Sequence, residues 1–193
     1  MARTKEFDPD AALSKALQLF WQRGYEATSM NDLVAHLGIG RASLYATFGN
    51  KHELYLQALD RYAERSDPRL LEELSQPGAA LPGVRAVVRR FAAESTSDAR
   101  VRGCFVTNTA TELAARDPQA CQRVEASWVH LETLLVSALM RAQAQREISD
   151  ERDPRALAHL LVVVMQGMRV VGKASADPAR VRDAAEQALS MLA

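Results

Sequence analysis

The sequence is poor in cysteine and has no long apolar run. Its two cysteines, Cys104 and Cys121, lie 17 residues apart in a chain of 193, which fits neither a disulfide framework nor a zinc-ligand spacing. No apolar segment typical of a signal peptide lies near the N-terminus. The longest apolar stretch, Leu157 to Gly172, is interrupted by polar side chains and is shorter than the roughly 20 residues that span a bilayer. We therefore expect a cytoplasmic protein with no membrane partner.

Motifs for catalysis and metal binding are also missing. The four histidines have no metal-ligand spacing, and there is no His-Glu-x-x-His sequence, no glycine-rich phosphate loop and no Gly-x-Ser-x-Gly sequence. We therefore expect no metal ion, no cofactor and no enzymatic activity.

Neither sign of charge is in excess. Lys and Arg together number 24, as do Asp and Glu, so the formal net charge is zero. Bulk charge therefore gives no argument for binding nucleic acid, and a DNA-binding function has to depend on where individual cations lie. Arg3, Lys5, Arg41 and Lys51 could share one face, with Arg3 and Lys5 on an N-terminal arm.

Apolar residues recur at helical spacing along most of the chain, which predicts an all-α fold. Asp117-Pro118, Asp153-Pro154 and Asp177-Pro178 each place a capping aspartate before a proline that can occupy the first helical position. Pro77, Gly78, Pro82 and Gly83 predict a connection over 75–83. The predicted helices outside the motif described next run over 7–23, 51–65, 83–97, 103–116, 118–146, 154–175 and 178–192.

Residues 24–55 have the pattern of a helix-turn-helix. Ser29 and Asp32 match a capping box that opens a helix, and Gly38 can turn the chain sharply after Leu37. A second short helix starts at Gly40, and Asn50 can cap the next helix. We expect apolar contacts to fix the angle between the two short helices. The residues that would make them are Leu33, Leu37, Ile39 and Leu44.

Residues 7 to 60 resemble the N-terminal domain of the TetR family of transcriptional regulators, in Gly24-Tyr25, Thr28-Ser29, Leu44-Tyr45 and Phe48-Gly49-Asn50-Lys51. The sequence departs from the usual family pattern at Val34 and Gly40. The resemblance implies a three-helix helix-turn-helix DNA-binding domain over 1–50, followed by a larger helical ligand-binding and dimerisation domain over 51–193. The residues expected to contact bases or phosphates are Arg41, Ala42, Ser43, Tyr45, Thr47 and Lys51, with Asn31 or Thr28 near the DNA backbone.

The last two helices are the best candidates for a homodimer interface, because each has an extensive apolar face. The alternative is that these faces are buried within one chain. The apolar residues in question are Leu157, Leu160, Leu161, Val164, Met165, Met168 and Val171 on the first helix, and Val181, Ala185, Ala188, Leu189 and Leu192 on the second.

A small-molecule pocket is predicted around the helix that starts near Gly103. Cys104, Asn108 and Glu112 recur at four-residue steps and could form one polar face, or Glu112 could lie in solvent beside Arg116. The predicted pocket residues are Phe91, Cys104, Phe105, Asn108, Trp128 and Met165. Cys104 could be a reactive thiol near Arg100 and Arg102 or a small core residue, whereas Trp21 is assigned to the core.

These observations favour a ligand-responsive transcriptional regulator, a repressor that binds a near-palindromic operator in double-stranded DNA as a homodimer. A small-molecule or electrophile inducer would release it. Two alternatives remain open at this point. One is an enzyme that uses Cys104 with His130 or Glu112 as nucleophile and base, and the other is a helical interaction module that does not bind DNA.

Overall fold

The computed structural model describes residues 7–192, and for Ser66, Asp67 and Ala99 it describes the backbone alone. These residues form nine α-helices, one 3-10 helix and no strand, so the all-α prediction is confirmed. The helices are α1 (Pro9–Arg23), α2 (Met30–Leu37), α3 (Arg41–Phe48), α4 (Lys51–Leu74), α5 (Leu81–Thr96), the 3-10 helix (Asp98–Val101), α6 (Phe105–Glu112), α7 (Pro118–Ala144), α8 (Pro154–Ala174) and α9 (Ala179–Ser190).

Most helix starts agree with the sequence because local caps determine them. Asp117 accepts hydrogen bonds from the amides of Gln119 and Ala120, and Asp153 accepts one from the amide of Arg155. Both aspartates precede a proline at the first helical position, as predicted. The third predicted case is wrong, because α9 begins at Ala179 and Pro178 itself forms the N-cap.

Two helices differ clearly in extent from the prediction. α4 continues beyond Arg65, through Pro68, to Leu74. A proline inside a helix is unfavourable by about 3 kcal/mol, but Leu70 and Leu74 on this extension are buried in the C-terminal core, and that burial favours helix. α6 is shorter than predicted at both ends, running from Phe105 to Glu112. It starts later because Cys104 has an extended backbone and forms the N-cap, and Leu113 forms its C-cap.

The buried apolar side chains form two cores. The first core contains α1, α2, α3, the first half of α4, α6 and the start of α7. The second contains the end of α4, together with α5, α8, α9 and the rest of α7. α4 and α7 therefore contribute to both cores and join them. The division into domains at residue 50 stays a prediction.

Tyr55 of α4 lies at the centre of the first core. It is completely buried, and its ring centre lies 5.0 Å from those of Phe20 and Tyr25 and 5.2 Å from that of Phe105. Its hydroxyl group lies 2.9 Å from Thr109 Oγ1. Burial raises the pKa of Tyr55 well above its ordinary value, so it stays a neutral hydrogen-bonding phenol.

α8 has two different faces. Leu157, Leu161, Met165 and Met168 are buried in the second core, against α5, α7 and α9. By length and composition alone α8 could cross a membrane, but in this fold one face packs against α5, α7 and α9.

The apolar stripe predicted for the dimer interface on α9 is also buried within the chain. Val181, Ala185, Ala188, Leu189 and Leu192 all belong to the second core. The assignment of these five residues, and of Leu157, Leu161, Met165 and Met168 on α8, to a partner chain is therefore wrong, because they close the chain's own core. The assignment of the other α8 residues, and the dimer itself, stay predictions. Val171 of the predicted α8 stripe is exposed, as are Val163 and Val170, which the prediction did not include, while Leu160 and Val164 are half-buried.

Candidate nucleic-acid interface and ligand cavity

The helix-turn-helix is formed by α2 and α3. Ser29 Oγ accepts a hydrogen bond from the amide of Asp32 (3.1 Å), and Asp32 Oδ2 accepts one from the amide of Ser29 (2.9 Å), so the predicted capping box is confirmed. Hydrogen bonds from the side chain and backbone of Ser29, followed by the attraction of Arg23, lower the pKa of Asp32. Gly38 ends α2 with a φ of 67°, in the left-handed region that favours glycine.

α3 buries one face and exposes the other. Leu44 and Phe48 belong to the first core, whereas Tyr45 has 44% of its surface exposed. Gly40 forms the N-cap and makes no side-chain hydrogen bond, so the first amides of α3 remain available to an anion such as a phosphate. The predicted DNA-contacting residues exposed on α3 are Arg41, Ala42, Ser43 and Tyr45.

Two cations on this surface also make contacts within the protein. Arg41 Nη2 donates to Asn31 Oδ1 (2.5 Å) and thereby connects α3 to α2. Lys51 Nζ donates to the carbonyl of Tyr25 (3.0 Å) and lies 4.0 Å from the centre of its ring. Because an ammonium group has three donors, Lys51 retains two for a phosphate.

One predicted contact residue does not lie on this surface. Thr28 is completely buried, and its hydroxyl group donates to the carbonyl of Gly24 (2.6 Å), so its side chain is not available to the DNA backbone and that alternative is wrong. Thr47 is half-buried and Asn31 is exposed. Arg3 and Lys5 lie outside the described residues. The DNA contacts assigned to the other residues stay predictions.

A cavity of about 440 Å³ lies at the boundary between the two cores. Phe91, Cys104 and Trp128 line it, as predicted from the sequence. The cysteine sulfur accepts a hydrogen bond from the Tyr62 hydroxyl group at 3.6 Å.

The other three predicted pocket residues do not line the cavity. Phe105 and Met165 are buried in the cores, and Asn108 donates to the carbonyl of Arg102 (2.8 Å) and accepts from Lys173 Nζ (3.1 Å). The four-residue spacing of Cys104 and Asn108 was misleading because Cys104 precedes the helix, whereas that spacing places side chains on one face only inside a helix.

α1 of the N-terminal bundle contributes directly to the cavity wall. Leu17, Gln18 and Trp21 all line it, and Trp21 Nε1 donates to the carbonyl of Gly103 (3.0 Å) at its edge. The assignment of Trp21 to the core was therefore incomplete, since it is half-buried and faces a cavity. Helical spacing marks Leu17 and Trp21 as inward-facing, but nothing in the sequence shows that a second group of helices leaves a space beside them.

Glu112, at the end of α6, holds the turn between α1 and α2. Its carboxylate accepts hydrogen bonds from the amides of Tyr25 (3.1 Å) and Glu26 (2.9 Å). Gly24 permits this approach because its φ is 85° and an added Cβ would lie 2.9 Å from the carboxylate. Glu112 does not line the cavity, so that prediction is wrong. It does lie beside Arg116, whose Nη2 donates to its carbonyl (3.2 Å), but its carboxylate is bound by the turn.

A second polar contact joins α4 to α7. His52 Nε2 lies 2.5 Å from Asp117 Oδ2, the residue that caps α7. Burial acts to raise the pKa of Asp117, but the amide of Ala120 and the His52 side chain outweigh it and the pKa is lowered. The N-terminal bundle is therefore attached to the other helices through both α6 and α7.

Models of known protein families match both parts of the chain. Residues 12–58 match the model described as bacterial regulatory proteins, tetR family, and residues 80–188 match the tetracyclin repressor-like C-terminal domain. The chain belongs to the TetR family. As a TetR-family transcriptional regulator it binds DNA and is not an enzyme, so the enzyme and non-DNA module interpretations are both wrong. Cys104 and Glu112 also lie at opposite ends of α6.

Sequences and solved structures that match most or all of this TetR-family chain are known. The uncharacterized HTH-type transcriptional regulator YezE of Bacillus subtilis is 34% identical over 193 residues, which cover 100% of both chains. The HTH-type transcriptional repressor ComR of Escherichia coli is 36% identical, over 91% of this chain and 84% of ComR. A cysteine mutant of the regulator CifR, in complex with 26-base-pair operator DNA, has 29% identity and a TM-score of 0.85, with 100% of both chains covered.

Proposed function

We propose that this regulator is a ligand-responsive repressor that acts in the cytoplasm. It binds a near-palindromic operator as a homodimer and is released when a small-molecule or electrophile inducer enters the cavity. The observation that carries this proposal is that one cavity is lined both by α1 of the DNA-binding bundle and by helices of the second core. A ligand in that cavity contacts both parts of the molecule.

The exposed face of α3 supports the DNA-binding half of the proposal. Arg41, Ser43 and Tyr45 offer a guanidinium group and two hydroxyl groups, which can hydrogen bond to base edges and phosphates. A single eight-residue helix reads only a few base pairs, so specific binding requires two copies about 34–36 Å apart, in successive major grooves. Repressor function is supported by the relatives ComR and BdcR of Escherichia coli, both described as repressors.

An exposed apolar strip on α8 supports homodimerisation. Val163 has 69% of its surface exposed and Val170 has 47%, and with Gly167 they recur at the three- and four-residue steps of one helix face. Leu160 and Val164 lie half-buried beside them. The interface we propose is therefore the outward face of α8, with α9 adjoining it.

Inducer response requires a difference in affinity between two conformations. The contacts of Trp21 with Gly103 and of Glu112 with Tyr25 and Glu26 hold α1 against α6. A ligand that binds better when α1 is displaced favours the conformation with α1 displaced, and in that conformation the distance between the two α3 helices of the dimer is changed. Operator binding is then weakened by a factor set by the ligand's difference in affinity for the two conformations.

The test is fluorescence anisotropy with labelled duplexes that tile the DNA around the gene, at about 0.15 M salt with random competitor DNA. We expect tight binding to one near-palindromic fragment. Arg41→Ala and Tyr45→Ala should each weaken it by about 1–3 kcal/mol, while fold and dimer remain intact. Arg89→Ala is the matched control, because Arg89 is an exposed arginine of α5 paired with Glu186.

Two results would contradict the DNA-contact assignments. One is operator affinity in Arg41→Ala and Tyr45→Ala equal to that of Arg89→Ala. The other is an affinity for duplex DNA that does not fall with salt concentration, since phosphate contacts release counterions and make log K decrease with log salt.

A further inference from the structure

We infer that the ligand of the cavity is a small amphipathic anion, with an apolar body and a carboxylate or similar acidic group; this inference rests on the proposed ligand response. Arginines dominate the polar part of the wall, where Glu94 is the single acidic side chain. The arginines that line the cavity are Arg65, Arg69, Arg90, Arg100, Arg102 and Arg169. A cavity with this balance of charge attracts anions and repels cations.

Half of these arginines already have carboxylate partners. Arg169 and Arg90 both contact Glu94, and Arg69 and Arg90 contact Glu73. Burial acts to raise the pKa of Glu94, but the attraction of Arg169 and Arg90 outweighs it and the pKa is lowered. Glu94 therefore remains charged and fixes the arginines around it. Because these arginines are already paired, this part of the wall is a rigid support and does not offer a free anion site.

The other three arginines contact neutral groups. Arg65 donates to Ser14 Oγ (2.9 Å), Arg100 to the carbonyl of Ser97 (3.2 Å) and Arg102 to Gln18 Oε1 (3.3 Å). Within residues 7–192, none of the three forms an ion pair with a carboxylate of described position. Each guanidinium group has five N–H donors, so these arginines can bind an incoming anion without breaking an existing ion pair.

Buried donors in the wall also lack acceptors. Ser95 Oγ, Trp128 Nε1 and Arg169 Nε are all inaccessible to solvent and have no hydrogen-bond partner among the described residues, and all three residues line the cavity. An unsatisfied buried polar group is unfavourable. A ligand that presents oxygen acceptors would satisfy these donors once their side chains turn towards the cavity, whereas a cationic ligand, which presents donors, would not.

The rest of the wall accommodates an apolar body. The apolar lining residues are Leu17, Trp21, Leu70, Phe91, Val106, Trp128 and Leu131. Phe91 lies at the junction of the two regions, because the guanidinium carbon of Arg169 is 4.6 Å from its ring centre. A mostly apolar cavity of this volume with a few directed polar groups is typical of a small-molecule site, and it is too small for a nucleic acid or a protein segment.

Intrinsic fluorescence can test this inference without DNA or a dye, because both tryptophans of the chain, Trp21 and Trp128, line the cavity. We would compare quenching by iodide, caesium and acrylamide at constant ionic strength. Relative to neutral acrylamide, iodide should quench more strongly than caesium. The double variant Arg100→Gln/Arg102→Gln should reduce the iodide preference by at least about twofold, and Arg89→Gln, which alters an arginine outside the cavity, should not.

The same tryptophan fluorescence then measures the affinities of phenylbutanoate and of its neutral isostere phenylbutanamide. The acid should bind at least about tenfold more tightly, and the preference should fall to about twofold or less in the double variant. Trp128→Phe, which keeps an aromatic ring but removes the buried N–H, should weaken the acid more than the amide, with Trp21 as the reporter. Equal quenching by iodide and caesium, or an acid that binds no better than the amide, would overturn the inference.

Operator anisotropy distinguishes this inference from the proposed function. If a neutral compound releases the operator and the acid does not, the ligand class is wrong although ligand response stands. If the acid binds with the predicted preference but leaves operator affinity unchanged, the ligand class is supported and the proposed induction fails.

Discussion

At the scale of single residues, position relative to a helix end decides what a side chain does. Cys104 and Glu112 are separated by two helical turns, yet Cys104 lines the cavity before α6 begins and Glu112 holds the α1–α2 turn where α6 ends. The four-residue periodicity predicts that both lie on one face of a helix, but in the structure they lie in two different environments. Residues at helix ends follow capping geometry more than they follow the helical pattern.

Cys104 provides the prediction at this scale. It lines the cavity and is partly exposed, so a thiol-reactive electrophile that reaches the cavity should modify it and displace α1 from its neighbours. We expect such a reagent to release the operator from wild-type protein and to have an effect at least about tenfold smaller on Cys104→Ser. Anisotropy of the operator complex measures the release.

Cys121 gives the matched control for this prediction. It is the other cysteine of the chain and lies exposed on α7, away from the residues that line the cavity. Cys121→Ser should therefore respond to the electrophile as wild type does. Equal release of wild type and Cys104→Ser would show that the thiol of Cys104 has no role in induction.

At the scale of elements, α4 and α8 each have two roles that follow from where they are buried. The first half of α4 belongs to the core of the DNA-binding bundle and its end belongs to the second core, so α4 connects the two. α8 packs one face in the second core and exposes Val163, Gly167 and Val170 on another.

The exposed face of α8 leads to a prediction about assembly. Val163→Glu places a charge on an exposed apolar strip and leaves the buried face of α8 untouched. If this strip forms the dimer interface, the variant should weaken dimerisation at least about tenfold, because a buried unpaired charge is unfavourable, while helix content is unchanged. Sedimentation velocity measures the oligomeric state, and circular dichroism measures the helix content.

Leu71→Glu is the control for the α8 variant. Leu71 is also an exposed apolar residue, with 51% of its surface accessible, but it lies on α4. The Leu71→Glu variant should dimerise as the wild-type protein does. A Val163→Glu protein with the same sedimentation behaviour as Leu71→Glu would place the interface elsewhere.

At the scale of the whole molecule, stability depends on carboxylates at the contacts between helices. The pKa values of Glu94 and Asp117 are lowered in the folded state, in each case because attraction and hydrogen bonding outweigh the effect of burial. A carboxyl group whose pKa is lower in the folded state stabilises the protein above its unfolded-state pKa, and this contribution is lost as pH falls through the folded-state pKa.

We therefore expect the free energy of unfolding to decrease as pH falls below about 4.5, the ordinary pKa of a glutamate. Glu94→Gln should be less stable than wild type near neutral pH, by about 1 kcal/mol because solvent screens this partly exposed group. The difference should shrink in acid, where Glu94 is itself protonated. Urea unfolding followed by tryptophan fluorescence measures it, and a difference that stays constant with pH would contradict the role assigned to Glu94.

Much of the N-terminal part could be predicted because short-range chemistry determines it. The capping box of Ser29 and Asp32, the turn at Gly38 and the cap at Asn50 each depend on residues within four positions along the chain. The exposed face of α3 follows from the same local pattern, since Leu44 and Phe48 are apolar and buried. Thr28 was misplaced because its burial depends on how the loop packs, which the local pattern does not specify.

The sequence by itself determined the helical class, most helix starts and the resemblance that identified the DNA-binding motif, because helical periodicity, caps and turn glycines act over a few residues. Only the tertiary structure decided which apolar faces close a core, that α4 continues past Pro68, and that α1 shares a cavity with α5 to α8. These features depend on contacts between residues far apart in the chain. Apolar spacing shows that a face is buried, but not which helix buries it.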